Sequence, residues 1–283
     1  MENYWQTSKR KIFFRRKTLV MAILNITPDS FSDGGKFFSL EKALEQAEKL
    51  ITEGADIIDV GGESTRPNSE QVSIEEEIRR VVPVIETVCE KFDVPISIDT
   101  TKAEVAEAAI KAGAEIINDI SGLRFDAQIA AVAARTNAGL VLMHSRGEFA
   151  TMHKQAAIEN ILAEVVENFR QNIKKAESFG VKAENIALDV GFGFSKTFDN
   201  NLELLAKLHK LVGEFSTFPM LAGVSRKSFV GKMLGDIPAN QRINGSLAAA
   251  AIAVWNGANI VRVHDVKATI EALKVVEAVK SKS

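Results

Sequence analysis

The chain has 283 residues, 46% of them hydrophobic and 25% charged, with a formal net charge of −2; it is long enough for two average domains or one large α/β barrel and apolar enough for a substantial core. Near-neutral charge gives no cationic field for nucleic acid or an anionic membrane, and no apolar run approaches the roughly 18 residues that span a bilayer. A single cysteine, Cys89, excludes an internal disulfide and sits beside Val88 and Phe92 in a helical apolar stripe, where it is expected to fill core.

At the N-terminus the basic stretch SKRKIFFRRK (residues 8–17) has a brief apolar interruption that includes Phe13 and Phe14, far too short for a signal peptide. Residues 1–16 are expected to form a lead-in extension or hairpin and residues 17–283 a single domain, in a cytoplasmic protein. Short β-branched runs then recur in order: LVMAILNI, DIIDVGG, PISIDT, EIINDI, LVLMH, IALDVG, MLAGVS and IVRVH. Between them lie segments of helical period with charged outer faces, such as LEKALEQAEKLITEGA, SIEEEIRRVVPVIETVCEKF and IENILAEVVENFRQNIKKAESFG. Gly54, Gly113, Gly180 and Gly257 fall where a left-handed helix C-cap is wanted before the next strand. Near-continuous apolar strands joined by crossover helices imply a parallel sheet buried on both faces, and roughly eight such units favour a closed (β/α)8 TIM barrel.

In such a barrel the loops after the strands build the site, and polar residues stand at every strand end: Asn25, Asp59 and Glu63, Asp99, Asn118 and Asp119, His144, Asp189, Ser225 to Lys227, then Arg262, His264 and Asp265. Strand-end acids often only cap the following helix, Asp99 and Asp265 being the foremost candidates. Arg262 and His264, two residues apart, share the strand face that points into a barrel. Arg226, Lys227, Arg262 and His264 offer donors and charge for a phosphate or diphosphate. Asp99, Asn118 and Asp189 suit a polar heterocycle. DVGFGFSK (189–196) lacks the spacing of a nucleotide-binding loop and is expected to be a tight βα turn, whereas GGESTRP (61–67) has the composition of a mobile active-site loop. No His/Cys cluster has zinc spacing, and His153, near His144, is expected to be solvated; Mg2+ carried by a diphosphate and completed by Asn25 fits the residues.

The blocks ILNITPDSFSDGG, IIDVGGESTRP, ISIDTTK, IINDISG, LMHSRG, GFGFSKT, GVSRKSFVG, GSLAAAAIAVWNGA and IVRVHDV, in that order, resemble those of the bacterial dihydropteroate synthases from about residue 17 to the C-terminus. The resemblance implies a (β/α)8 barrel that condenses 6-hydroxymethyl-7,8-dihydropterin diphosphate with p-aminobenzoate by an SN1-like route, and for whose p-aminobenzoate place sulfonamides compete. It implies catalytic roles for Asp99, Lys227, Arg262 and His264, and a pterin pocket of Asp99, Asn118, Met143, Asp189, Phe194 and Lys227. Diphosphate would meet Asn25, Thr65, Arg66, Arg262 and His264, with Asn25 on Mg2+. The p-aminobenzoate wall would be Pro28, Phe31, Thr65, Pro67, Phe194, Ser225 and Lys227, with residues 27–38 and 64–72 as two mobile loops.

The family's homodimer through the last helices is a further implication, although core burial explains LAAAAIAVW equally. The chain departs from the common pattern at Val190, where many members have Pro, and at Arg146, which replaces a neutral side chain and is expected to be solvated. Two other readings stay open: the methyltetrahydrofolate-binding barrel of a corrinoid methyltransferase, which has no need of the cationic SRKS and RVHD rim, and a catalytically silent pterin-binding protein.

Overall fold

The structure is a computed structural model that describes residues 3–15, 17–26, 36–64, 71–151 and 158–282. Among these, β3 (Leu19–Asn25), β4 (Ile57–Gly61), β5 (Ile96–Asp99), β6 (Ile116–Asp119), β7 (Gly139–Met143), β8 (Ile186–Asp189), β9 (Met220–Ala222) and β10 (Ile260–Val263) pair in parallel, each with the next. β10 also pairs with β3, Ile260 opposite Leu19 and Arg262 opposite Met21, which closes the barrel. The expected (β/α)8 architecture is therefore the observed one.

Helices α1 (Lys36–Thr52), α2 (Ile74–Lys91), α3 (Ala103–Lys111), α4 (Gln128–Thr136) and α5 (Ile161–Ser178) follow β3 to β7 in turn. α6 (Phe198–Ala206) and α7 (Leu208–Glu214) follow β8, α8 (Ser228–Met233) and α9 (Ile243–Trp255) follow β9, and α10 (Val266–Lys280) follows β10. Helix ends obey local chemistry. Ser73 caps α2 by accepting the Glu76 N–H at 3.2 Å, with Glu75, Glu76 and Glu77 at the positive end of the dipole. Gly54, Gly113, Gly180 and Gly257 all carry the positive φ expected of them.

The period of two along each strand sorts the residues into two shells. Val20, Ala22, Leu24, Ile58, Val60, Ile96, Ile98, Ile117, Leu140 and Leu142 pack outward in the large core shared with the helices. Met21, Ile57, Ile116, Val141, Ala187, Leu221 and Ile260 fill the lower barrel interior. Higher on the inward rows the residues turn polar: Asn25, Asp59, Asp99, Asn118, Asp189 and Arg262. The barrel thus has a dry base and a charged mouth.

Beneath the barrel, β1 (Tyr4–Gln6) pairs antiparallel with β2 (Lys11–Phe13). This hairpin inserts Trp5, fully buried, into the same apolar cluster as Leu19, Met21, Ile57 and Ile260, and the indole donates to Asn185 O at 2.8 Å. Cys89 lies half-buried on α2, packed against the main core as expected. No helix of the described residues is long and apolar enough to cross a membrane.

Candidate active site

The inward rows end in a cavity of about 500 Å3 at the C-terminal mouth, lined by Asn25, Glu63, Asp99, Phe194, Ser225, Lys227, Arg262 and His264 among others. A narrower recess leads down from it between Asn118, Ile120, Met143, Asp189 and Phe192. Asp99, Phe194, Gly223, Lys227 and Arg262 line both, so the two spaces meet on a shared wall. A cavity of this size suits a small-molecule ligand.

Arg262 is the hub of the polar network. Its Nε donates to Asp59 Oδ2 at 2.6 Å and its Nη2 to Asp99 Oδ2 at 2.6 Å. Asp59 Oδ2 also accepts from Asn118 Nδ2 at 3.0 Å, while Asp59 Oδ1 and Asn118 Oδ1 are buried without a partner among the described residues. A buried carbonyl oxygen left unpaired is costly unless a ligand supplies a donor, and Asn118 is one of the residues lining the recess. Asp189 Oδ1 accepts from the Gly191 N–H at 2.8 Å. Burial pushes the Asp189 carboxyl up, and it pushes Asp99 up to about 7 against the pull of Arg262.

Lys227 lies with Nζ 4.1 Å from the centre of the Phe194 ring, and burial, with Arg262 nearby, lowers its pKa to about 8. His264 Nδ1 is 3.0 Å from Ser225 Oγ, which also accepts the His264 backbone N–H at 3.2 Å. Burial and the Arg262 charge depress its pKa to about 3, so at neutral pH this imidazole is an uncharged hydrogen-bonding group. The expectation that His264 supplies positive charge is thus corrected. Arg226 also lines the cavity, with its Nε and Nη2 held by Asp265 at 3.0 and 2.6 Å.

Neither foremost capping candidate caps a helix. The N-cap of α3 is Lys102, with no side-chain cap, and Asp99 faces inward to Arg262 instead. Asp265 stands at the N-cap of α10 but gives its carboxylate to Arg226. Asp119, on the outward row, does have a local role, accepting from Ser121 N–H at 2.8 Å and Leu123 N–H at 2.6 Å.

Two turns present the functional side chains. In the turn after β9, Arg226 adopts φ +57°, a costly conformation for a non-glycine residue. It is held there by Ser246 Oγ on its N–H at 2.9 Å and Arg242 Nη1 on its carbonyl at 3.0 Å. After β8, Gly191 has φ +68°, and a Cβ there would lie 2.0 Å from His144 O. Lys196 Nζ clamps this turn by donating to the carbonyls of His144, Gly191 and Phe194 at 3.2, 2.8 and 3.0 Å. DVGFGFSK is thus the tight turn expected, and Val190 is simply buried within it.

His144 is buried against Glu164, Nε2 to Oε1 3.4 Å, and lines neither space. Arg146 pairs with the same Glu164 oxygen at 3.1 Å while 41% exposed. Pro28, Phe31, Thr65, Arg66, Pro67 and His153 lie outside the described residues. Of the first expected mobile loop, residues 36–38 open α1. The sequence reading did not assign site roles to Asp59, Ile120, Phe192, Ser228 or Arg242. The signal for Asp59 was present, since an acid in the middle of a fully apolar strand faces the barrel axis and must be paired.

No group of three or more His, Cys, Asp or Glu among the described residues could hold a metal ion unaided. The donor set suits a hard divalent cation that brings most of its oxygen ligands with it, with Asn25 adding a neutral carbonyl oxygen.

Residues 21–264 match the family model described as pterin binding enzyme. The dihydropteroate synthase of Escherichia coli is 48% identical over 264 residues, 93% of this chain and 92% of that protein. That of Synechocystis sp. is 47% identical over 263 residues, 93% of this chain and 90% of that protein. Among solved structures, the Xanthomonas albilineans dihydropteroate synthase with 4-aminobenzoic acid superposes with TM-score 0.92 at 40% identity, covering 99% of both chains. The Yersinia pestis enzyme with a sulfonamide drug gives 0.91 at 42% identity over 98% of this chain and 99% of that one. The Burkholderia cenocepacia enzyme complexed with 7,8-dihydropteroate gives 0.87 at 40% identity over 99% of this chain and 97% of that one. With a family match over most of its length and near-half identity to these relatives, the chain belongs to the pterin-binding enzymes, in the dihydropteroate synthase family.

Proposed function

We propose that this chain is a dihydropteroate synthase, joining 6-hydroxymethyl-7,8-dihydropterin diphosphate to p-aminobenzoate with release of diphosphate. The observation that carries the reading is the shared wall: an acceptor-rich recess opens into an arginine-bearing cavity through Asp99, Lys227 and Arg262. A ligand with an amino-substituted ring at one end and an anion at the other spans both. In the recess, Asn118 Oδ1 and Asp189 receive the ring's amino and N–H groups, and Lys227 donates to a ring acceptor over the Phe194 face. Met143 and Phe194 give the ring apolar contact.

In the cavity, Arg262 keeps its Nη1 protons for the departing diphosphate, since Nε serves Asp59 and Nη2 serves Asp99. His264 adds an uncharged hydrogen bond, oriented by Ser225. The bond from the exocyclic methylene carbon to the diphosphate oxygen breaks with its electron pair going to diphosphate, and the dihydropterin delocalises the cation. The Asp99 carboxylate offsets that charge. The p-aminobenzoate nitrogen then donates its lone pair to the carbon and loses a proton to solvent.

Asn25 would hold Mg2+, which when bound stabilises charge on the leaving diphosphate. The p-aminobenzoate place is assigned to the cavity beside Phe194, Lys227 and Ser225, with Pro28, Phe31, Thr65 and Pro67 completing it and Thr65 and Arg66 reaching the diphosphate. Its cytoplasmic placement is part of the same proposal, as is a homodimer. Supporting the dimer, Ile252 and Trp255 on α9 and Val275 and Val279 on α10 are exposed apolar side chains on adjacent helices.

The test is product formation from the two substrates, followed by chromatography, beside equilibrium binding of the pterin diphosphate and of methyltetrahydrofolate. Dihydropteroate formation with tighter binding of the diphosphate ester is expected. Tighter binding of methyltetrahydrofolate with no product would instead support the corrinoid-methyltransferase reading.

A further inference from the structure

Glu63 lines the cavity beside Asp99, Arg262 and His264, an unexpected place for an acid if a diphosphate is to enter. Its carboxylate is nevertheless engaged elsewhere. Oε1 accepts from Lys102 Nζ at 3.0 Å and from the Val72 N–H at 2.6 Å. The same ammonium donates to Glu77 Oε2 at 2.6 Å and to Val72 O at 2.7 Å, so its three protons are all used.

The side chains of Glu63, Glu77 and Lys102 are 6%, 1% and 18% exposed. Two buried carboxylates therefore depend on one cation, and burial already holds the Glu77 carboxyl above its ordinary range. Arg80 Nη1 fixes the neighbouring Gly62 carbonyl at 2.9 Å, which leaves the Glu63 side chain, rather than its backbone, as the part able to turn. Lys102 itself does not line the cavity.

We propose that Lys102 is a positioning residue for the diphosphate end of the site: by holding Glu63 against Glu77 and Val72, it keeps a negative charge out of the space the diphosphate enters. The inference rests on the reading of that cavity as a diphosphate site. Without the ammonium, Glu63 and Glu77 repel each other, and the cavity is the side on which Glu63 can regain solvent. A carboxylate turned there opposes an anion and leaves a neutral ring in the recess unaffected.

Calorimetric titration with the bare hydroxymethyl dihydropterin and with its diphosphate, at fixed Mg2+, separates the two effects. Lys102→Met is expected to weaken binding of the ester by about tenfold or more while leaving the bare pterin within about twofold, because like-charge juxtaposition acts only on the anion. Adding Glu63→Gln to Lys102→Met is expected to restore most of the loss, whereas a merely structural role for Lys102 would weaken both ligands alike, gain nothing from the second change, and overturn the proposal. Should Lys102→Met not fold, Glu63→Gln alone decides: ester binding at least as tight as wild type supports the proposal, and loss of ester binding shows Glu63 to be a ligand and overturns it. A wild-type protein that binds ester and bare pterin equally overturns the diphosphate reading, and this inference with it.

Discussion

Arg262 lines both the cavity and the recess whereas Asp189 lines the recess alone, and their substitution separates the two tasks of the site. Arg262→Ala removes the donors meant for the diphosphate, so binding of the ester is expected to fall far more than binding of the bare pterin, and kcat by about 10²–10³. It also strands Asp59, which is fully buried, so a stability loss of about 3–5 kcal/mol should accompany it in denaturant titration. Asp189→Ala should weaken both ligands; equal ligand profiles for the two variants would break the division. The pH dependence follows from the same residues. Burial raises Asp99 to about 7 and lowers Lys227 to about 8, so the carboxylate is lost below the first value and the ammonium above the second. The pH profile of kcat/KM is expected to be a bell with those limbs, and Lys227→Arg to remove the alkaline one, since a guanidinium keeps its charge. A flat profile contradicts both assignments. Strand alternation made the Arg262 and His264 pair legible in the sequence. Their ionic state was not, because the burial and the Arg262 charge that neutralise His264, and the Asp265 carboxylate that occupies Arg226, are contacts across the fold.

At the scale of elements, the strands were readable because each is a short apolar run closed by a turn signal, and the helix ends because glycine is the residue that takes positive φ cheaply. The hidden part is what holds the turns. Nothing local in SRKS shows that Ser246 and Arg242, both on or before α9, keep Arg226 at φ +57°. Nor does GFGFSK reveal that Lys196 is buried and spent on three carbonyls. The β1–β2 hairpin likewise acts at a distance in sequence, closing the base while the chemistry lies at the mouth. Trp5→Ala should therefore cost about 3–5 kcal/mol of stability, the range for a fully buried aromatic. Below the lowered melting temperature, kcat/KM should be unchanged. A loss of activity in a folded Trp5→Ala protein would mean that base and mouth are coupled.

For the whole molecule, eight βα units and near-neutral charge already pointed to one barrel with a small-molecule site at its C-terminal face. The surface of that barrel was less legible, because in LAAAAIAVW the residues that pack inward and those that face out are all apolar. In the structure Ala249, Ala250, Ala253 and Val254 are buried, whereas Ile252 and Trp255 are 46% and 52% exposed. Light scattering is expected to give twice the chain mass, with Trp255→Glu shifting it to one; a wild-type mass of a single chain removes the dimer. Synthase activity is decided by diphosphate release from the pterin diphosphate at fixed Mg2+, with and without p-aminobenzoate. Release is expected to depend on p-aminobenzoate and to match dihydropteroate formed, mole for mole. Pterin that binds but never loses its diphosphate, whatever acceptor is present, would contradict it.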